Sequence, residues 1–171
     1  MEEKTKSGSP LRIRAHTLLC LQGFQGLGYS PEFIAEMERV VTLLRNNPDT
    51  PVEVVVGADI FCEKCPHSYR GRCTVNDPED TPVPFDAPDE STLMDRRVLA
   101  WLEIEPNSVQ LWGEILYKIG RNIDSSAMDA LCGSCRWRSF PHCARALDEL
   151  HQKVVSGDLL FTYETEESET A

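Results

Sequence analysis

Six of the seven cysteines in this chain fall into two sets that share one internal spacing. The sets are Cys62, Cys65 and Cys73, and then Cys132, Cys135 and Cys143, each lying 70 residues after its counterpart. Two thiolates separated by two residues, with a third after a further turn, can bind one metal ion or cluster from a single loop. The spacing therefore predicts a metal-binding protein, and an iron-sulfur cluster is our first interpretation.

The surroundings of these cysteines argue against simple burial in a core. Buried structural cysteines lie on apolar stripes, whereas these lie in polar segments that contain Arg, Gly and Pro. The odd number of cysteines also fits complete disulfide pairing poorly. The N-terminal residues MEEKTKSGSP lack the apolar region of a signal peptide, so we expect a cytoplasmic protein. In that compartment clustered cysteines bind metals or carry redox chemistry more often than they form disulfides.

Zinc is the alternative metal. Structural zinc takes four ligands, and each cysteine set supplies three, so a zinc site would need a histidine to complete it. His67, two residues after Cys65, is suitably placed, and His142, adjacent to Cys143, is less so. Zinc would make this protein a zinc-stabilised structural or interaction module.

A 4Fe-4S cluster accounts for more of the pattern, because three cysteines from one loop and a distant fourth are a common arrangement. Nearby arginines could balance the negative charge of such a cluster, or they could be ordinary surface charges. They are Arg70, Arg72, Arg136, Arg138 and Arg145. The sequence leaves open whether there are one or two sites, and what completes each set. One set could also bind a cluster with a single cysteine of the other, which would leave the remaining thiols for redox chemistry.

Cys20 and His16 are candidates for a missing ligand. They are four residues apart, which places them on one face of a helix. Burial is the competing explanation, because a free cysteine usually behaves as a small hydrophobic residue. Both explanations stay open for Cys20, and a hydrogen-bonded residue at the edge of the core is the simpler explanation for His16.

A family resemblance adds to this interpretation. The segment IRAHTLLCLQGFQGLGYSPEF, both cysteine sets and the Cys135-x-Trp137 element resemble the prokaryotic domain of unknown function 1284, over nearly the whole chain apart from its tails. The resemblance implies iron-sulfur binding, and it implies that His16 and Cys20 belong with the cysteine sets. It implies no reaction. A member of that family would have a second histidine where this chain has Thr17.

Length, composition and charge limit the domain organisation and the partners. A chain of 171 residues, 41% of them hydrophobic, is expected to form one domain. We place the domain at residues 10–163, between disordered tails at 1–9 and 164–171. The formal net charge of -11 argues against nucleic acid or an anionic membrane surface as a partner. We expect a redox partner or a small molecule of undetermined identity.

Hydrophobic periodicity predicts a mainly α-helical domain with minor β structure, an α+β fold. Helices are predicted near residues 31–46, 91–104, 108–119 and 143–155. The run PVEVVVGAD predicts the one strong strand, residues 11–15 an extended entry to a buried helix, and residues 158–163 a terminal strand. In this arrangement the helices pack around Trp and Leu residues, and the two cysteine loops converge on a metal site.

Three functions are compatible with these residues. The first is an iron-sulfur protein that transfers electrons or senses redox state, with the first cysteine set as one ligand group and the second set with Cys20 as another. The second is the zinc-stabilised module. The third is an enzyme whose cluster has an open iron position that binds substrate as a Lewis acid.

Overall fold

The computed structural model of the chain describes residues 8–84, 86–133, 135 and 142–159. The fold is α+β, with helices around a small sheet, as the periodicity predicts. Outside the described residues lie most of the predicted N-terminal tail, the predicted C-terminal tail and residues 160–163 of the predicted terminal strand, together with Arg136, Trp137 and Arg138. In the described ranges, no helix combines the length and the apolar character that crossing a membrane requires.

A three-stranded mixed sheet forms one layer of the fold. Strand β1 (Leu11–Arg14) runs parallel to β2 (Pro51–Val55), and β2 runs antiparallel to β5 (Ser108–Leu111). The central strand is β2, whose buried valines agree with its β-branched sequence. The sequence predicts only β2 as a strong strand, because β1 and β5 are short and gain their hydrogen bonds from pairing with it.

Six α-helices lie in the described part of the chain. They are α1 (Thr17–Cys20), α2 (Pro31–Asn46), α3 (Glu90–Leu102), α4 (Trp112–Asn122), α5 (Ala127–Leu131) and α6 (His142–Val155). A 3-10 turn, Leu21–Gly23, continues α1 and contacts α6. The first cysteine loop contains a second 3-10 turn, Cys62–Lys64, followed by a hairpin of β3 (Ser68–Tyr69) and β4 (Arg72–Cys73).

The helix predicted at 108–119 is wrong in its first turn. Residues 108–111 form β5, and α4 begins at Trp112. The reason is pairing with β2, in which Ser108 lies opposite Val54 and Pro51 opposite Leu111. Val109, which the periodicity assigns to the apolar face, is consequently 54% exposed. Long-range pairing here overrides the local helical pattern.

The buried face of α3 also differs from the predicted one. The periodicity places Leu93 on the apolar face, but that side chain is 57% exposed. The buried residues of α3 are Ser91, Asp95, Val98, Leu99 and Leu102. The helix is rotated in this way because Asp95 has a charged partner in the interior.

Close packing of α4 against α6 holds the second cysteine set near the core. At Gly120 in α4, a Cβ atom would lie 2.4 Å from Cγ2 of Val154 and 3.0 Å from the carbonyl oxygen of Leu150. Only glycine permits this approach without a shift of the helices. Trp112 at the start of α4 is buried, as predicted for a core residue, whereas Trp101 is only half-buried.

Candidate functional site

One cavity brings the second cysteine set together with the segment that precedes α2. Its volume is about 160 Å³. Four cysteines line it, namely Cys20, Cys132, Cys135 and Cys143. His16 and His142 line it as well, and much of the remaining wall is apolar, including Phe24, Leu27, Phe33, Met37 and Met94. The described chain therefore gathers four thiols and two imidazoles around one cavity.

Short local elements position the four sulfur atoms. Cys20 is the last residue of α1, and its sulfur lies 3.7 Å from the carbonyl oxygen of His16, one turn earlier. Cys132 follows α5, and the backbone N–H of Cys135 donates to its carbonyl oxygen at 3.1 Å, which closes a tight turn. Cys143 lies in the first turn of α6. Three separate elements thus contribute cysteines to one cavity.

Gly23 allows the turn after α1 to approach α6 at Cys143. A Cβ atom at Gly23 would lie 2.6 Å from the Cα atom of Cys143 and 2.9 Å from its sulfur. Real Cβ atoms do not approach backbone atoms this closely, so a larger residue would separate the two elements. The side-by-side placement of Cys20 and Cys143 depends on this contact.

Burial and mutual repulsion raise the pKa values of three cavity thiols, those of Cys20, Cys132 and Cys143. Burial raises the pKa of Cys20 well above its ordinary value, and the charges of Cys143 and Cys132 raise it further. Burial, together with Cys135 and Cys143, raises the pKa of Cys132 to about 11. The pKa of Cys143 is raised by burial and by Cys135. Because the thiols interact, a cation among them would favour the thiolate form of all of them.

Asp95 of α3 lies behind the cavity and is fully buried. Its Oδ2 atom accepts hydrogen bonds from Nη2 of Arg14 at 2.8 Å and from the backbone N–H of Gly57 at 2.9 Å. Its Oδ1 atom accepts from the backbone N–H of His16 at 3.1 Å and from Nδ1 of His16 at 2.7 Å. Burial by itself would raise the pKa of Asp95, but the hydrogen bonds and charges of His16 and Arg14 lower it below its usual value. Asp95 is therefore a buried anion that orients both side chains.

Arg14 connects this carboxylate to the first cysteine loop. Its Nη1 atom lies 3.8 Å from the sulfur of Cys62, and its backbone N–H donates to Oδ2 of Asp59 at 2.9 Å. Asp59 also accepts from the backbone N–H groups of Phe61 and Cys62, at 3.0 and 3.2 Å. A single buried network thus joins the first loop to His16 at the cavity.

The first cysteine set, which is described in full, does not line this cavity. Cys62 begins its 3-10 turn, Cys65 follows it, and Cys73 ends β4, where its backbone N–H donates to Asp89 at 3.0 Å. Burial and the nearby Asp59 raise the pKa of Cys62 to about 12. Burial raises the pKa of Cys65 as well, and the backbone N–H groups of His67 and Ser68 partly offset this effect. The first set therefore contributes no cysteine to the lining of this cavity, and convergence of the two loops on one metal site stays a prediction.

Tyr29 lies near cysteines of both sets. Burial raises its pKa, and the charges of Cys135, Cys20, Cys73 and Cys65 raise it further. Its ring contacts that of His67 at a centroid distance of 5.0 Å, in an edge-on arrangement. His67, a candidate ligand from the sequence, therefore packs against an aromatic ring beside the first loop and is not among the cavity residues.

Within the described ranges, no group of three or more His, Cys, Asp or Glu side chains is arranged to hold a metal ion. The described cysteines thus surround a cavity, but their sulfur atoms are not already arranged as the ligands of a metal ion. The chemistry of the donors nevertheless suits a thiophilic metal group, because thiolates prefer soft metals and iron-sulfur clusters.

Three residues of the buried network escaped the sequence analysis, namely Arg14, Asp59 and Asp95. Asp95 could have been found, because it is a charged residue four positions after Ser91 and three before Val98, on one helical face. Arg14 gave no such signal. It alternates with Ile13 as a surface residue of a strand would, and yet it is only 4% exposed.

Comparison with known proteins identifies the family. The family described as protein of unknown function (DUF1284) matches residues 28–141, which is more than half of the chain. The match contains the first cysteine set with Cys132 and Cys135, but it begins after Cys20 and ends before Cys143, so it is shorter than the resemblance in the sequence suggests. No curated protein and no solved structure matches the chain. On the extent of its match, this protein is a member of the DUF1284 family.

Proposed function

We propose that this protein binds an iron-sulfur cluster in the cavity and uses it to transfer electrons or to sense redox state. The observation that carries the proposal is the shared cavity of the second cysteine set and the His16–Cys20 segment, which come from opposite ends of the chain. Three ligands from one segment and a distant fourth are a recurrent way of holding a 4Fe-4S cluster. In this proposal Cys132, Cys135 and Cys143 are ligands, and the fourth comes from the His16–Cys20 segment.

The character of the cavity supports a redox cofactor. Apolar residues on the wall, such as Phe33, Met37 and Met94, limit the access of water and lower the local dielectric constant. Both properties set the reduction potential of a bound cluster, which supplies one-electron chemistry when it is present. The protein residues then have three tasks: to donate ligand atoms, to exclude water and to hold the ligand side chains in place.

Proton release should accompany loading of the cavity. Ligation requires thiolates, whereas burial and mutual repulsion raise the pKa values of Cys132 and Cys143. The positive charge of a bound metal lowers the pKa values of the ligand cysteines, so these cysteines are expected to lose their protons together as the site fills.

Anaerobic reconstitution with Fe²⁺ and sulfide tests the proposal. We expect brown protein that bleaches on reduction, with iron and sulfide in equal amounts. Cys132→Ser, Cys135→Ser and Cys143→Ser should each lose most of this iron. Cys65→Ser is the matched control, because Cys65 belongs to a set with the same spacing that does not line the cavity. If reconstituted wild-type protein contained no iron, or if Cys65→Ser lost it as fully as Cys132→Ser, the proposal would be wrong.

Zinc at the first cysteine set is a second candidate, and the compact loop that holds this set favours it. Backbone N–H groups of His67 and Ser68 act on the sulfur of Cys65 and lower its pKa against the larger effect of burial, as donors around a metal-bound thiolate do. The set lies in a compact turn and hairpin, so zinc there would have a structural role. Stoichiometric zinc in colourless protein, lost in Cys65→Ser and kept in Cys132→Ser, would support this candidate.

A further inference from the structure

His16 lines the cavity and also contacts the buried carboxylate of Asp95. The residue lies directly before α1, and its side chain lines the same cavity as the four cysteines. Its other ring nitrogen, Nδ1, lies 2.7 Å from Oδ1 of Asp95. The two nitrogens of an imidazole point in nearly opposite directions, so Nε2 is directed away from Asp95.

Asp95 also decides which nitrogen of His16 carries the proton. A carboxylate accepts hydrogen bonds, so Nδ1 must donate its proton to Asp95. Neutral His16 then has an unprotonated Nε2, whose lone pair can bind a metal. A carboxylate, a histidine and a metal in this order form a common ligand arrangement, in which the carboxylate fixes the ring and strengthens the ligand.

The cavity has six donor side chains, because His142 lines it together with His16 and the four cysteines. His142 directly precedes Cys143 in the first turn of α6, and adjacent side chains of a helix do not face each other, so His142 is set aside when Cys143 is a ligand. Five donors remain, one more than the four iron atoms of a cubane cluster require. The thiol of Cys20 has an acceptor within its own turn, the carbonyl oxygen of His16 at 3.7 Å. His16 has the opposite arrangement, since its only donor nitrogen is taken up by Asp95 and its acceptor nitrogen remains for a ligand. The surplus donor is therefore Cys20 rather than His16.

We infer that Nε2 of His16 is the fourth ligand of the group bound by Cys132, Cys135 and Cys143, that Asp95 is its positioning residue, and that Cys20 lines the cavity without ligating. The inference rests on the proposed function, since it concerns the same site. Ligation forms one bond between Nε2 and iron and releases no proton from His16, whereas each cysteine ligand releases one. Ligation by His16 gives the site three thiolate ligands and one imidazole ligand, whereas an all-cysteine site would have four thiolates.

Pulsed EPR of protein with [15N]histidine tests the inference. The protein is reconstituted with Fe²⁺ and sulfide and then reduced. We expect strong hyperfine coupling from one histidine nitrogen, and we expect that His16→Gln abolishes it while Cys20→Ser keeps both the coupling and the iron content. His151→Gln is the matched control, because the Nδ1 atom of His151 also has an acceptor at 2.7 Å, the carbonyl oxygen of Gly120, and His151 is not a cavity residue.

Asp95→Asn tests the positioning role. The variant should bind iron about 10- to 100-fold more weakly and should show an altered nitrogen coupling, because the amide orients the ring less strongly. A merely structural role would lower the stability of the fold without changing the coupling. If this variant does not fold, His16→Gln and Cys20→Ser still decide the inference.

Two further outcomes separate this inference from the proposed function. Iron-loaded protein that lacks nitrogen coupling, or in which Cys20→Ser loses the cluster, would overturn the role of His16 and leave the cluster proposal intact. Wild-type protein that binds no iron would overturn both. In metal-free protein, 1H–15N NMR should find the His16 proton on Nδ1; a proton on Nε2 instead would contradict the inference by itself.

Discussion

At the scale of single residues, Asp95 is the side chain on which the site depends most. It is buried in α3, and its two oxygens accept hydrogen bonds from Arg14, His16 and Gly57. Arg14 is itself buried and lies near the sulfur of Cys62. A buried carboxylate with these partners costs desolvation energy, and it provides an oriented histidine at the cavity.

Replacing Asp95 with Asn should destabilise the protein by about 3 to 5 kcal/mol, because it removes the carboxylate that is paired with the buried Arg14 guanidinium. Urea unfolding of the metal-free protein measures the change. Asp77→Asn is the control, since Asp77 pairs with Arg72 near the surface, and a much smaller effect is expected there. An unfolding midpoint in Asp95→Asn equal to that of the wild type would contradict the assigned role.

The same carboxylate should make the fold sensitive to acid. The folded-state pKa of Asp95 is lowered relative to its usual value of about 3.9. Its contribution to stability is therefore fully present above about pH 3.9 and is lost as the pH falls through the lower, folded-state pKa. The difference in unfolding free energy between wild type and Asp95→Asn should shrink over this acid range. A difference that is constant with pH would refute the prediction.

At the scale of elements, the approach of the Leu21–Gly23 turn to α6 forms one side of the cavity. Gly23→Ala should destabilise the protein by about 1 to 3 kcal/mol, because the new methyl group would overlap the backbone of Cys143. Iron content after reconstitution should fall as well. Gly133→Ala is the control, because its nearest new contact would be the carbonyl oxygen of Asp129 at 4.0 Å. Equal effects in both variants would show that the contact with Cys143 does not matter.

The start of α2 is a second element with a measurable contribution. The Ser30 hydroxyl accepts a hydrogen bond from the backbone N–H of Phe33 at 3.1 Å and donates to the carbonyl oxygen of Lys64 at 3.1 Å. Ser30→Ala should cost about 1 kcal/mol through loss of the N-cap. It should also loosen the first cysteine loop, which hydrogen exchange at Cys65 and its neighbours would detect. Ser30→Thr keeps the hydroxyl and is expected to stay close to wild type.

At the scale of the whole molecule, binding in the cavity should stabilise the entire fold. The cavity joins α1, α5 and α6, so a group held among them links both ends of the chain. When the free metal group exceeds its Kd a hundredfold, the gain in stability is about 2.7 kcal/mol. Calorimetry should therefore give a higher Tm for reconstituted protein than for metal-free protein. The increase should vanish in Cys132→Ser and persist in Cys65→Ser; the reverse pattern would assign the stabilising metal to the first loop.

Much of the fold is predictable from local sequence. The bounds of α2 follow from Ser30, Pro31 and an apolar stripe, and those of α6 from the spacing after Cys143. The valines of β2 predict its strand. In contrast, the hydrophobic periodicity of residues 108–111 predicts a helix. These residues form β5 because they pair with β2, a long-range contact that the local pattern does not show. The face of α3 could not be assigned correctly without knowing that Asp95 has Arg14 as a partner.

The sequence by itself determined that the chain carries two equally spaced cysteine sets in polar loops, because ligand spacing is a local property. It also singled out His16 and Cys20, from their separation of one helical turn. Only the tertiary structure decided that Cys20 and His16 line one cavity with the second set and that the first set does not line it. That assignment depends on contacts between distant segments, such as Gly23 against Cys143 and Asp95 against His16, and no local pattern encodes which distant segments meet.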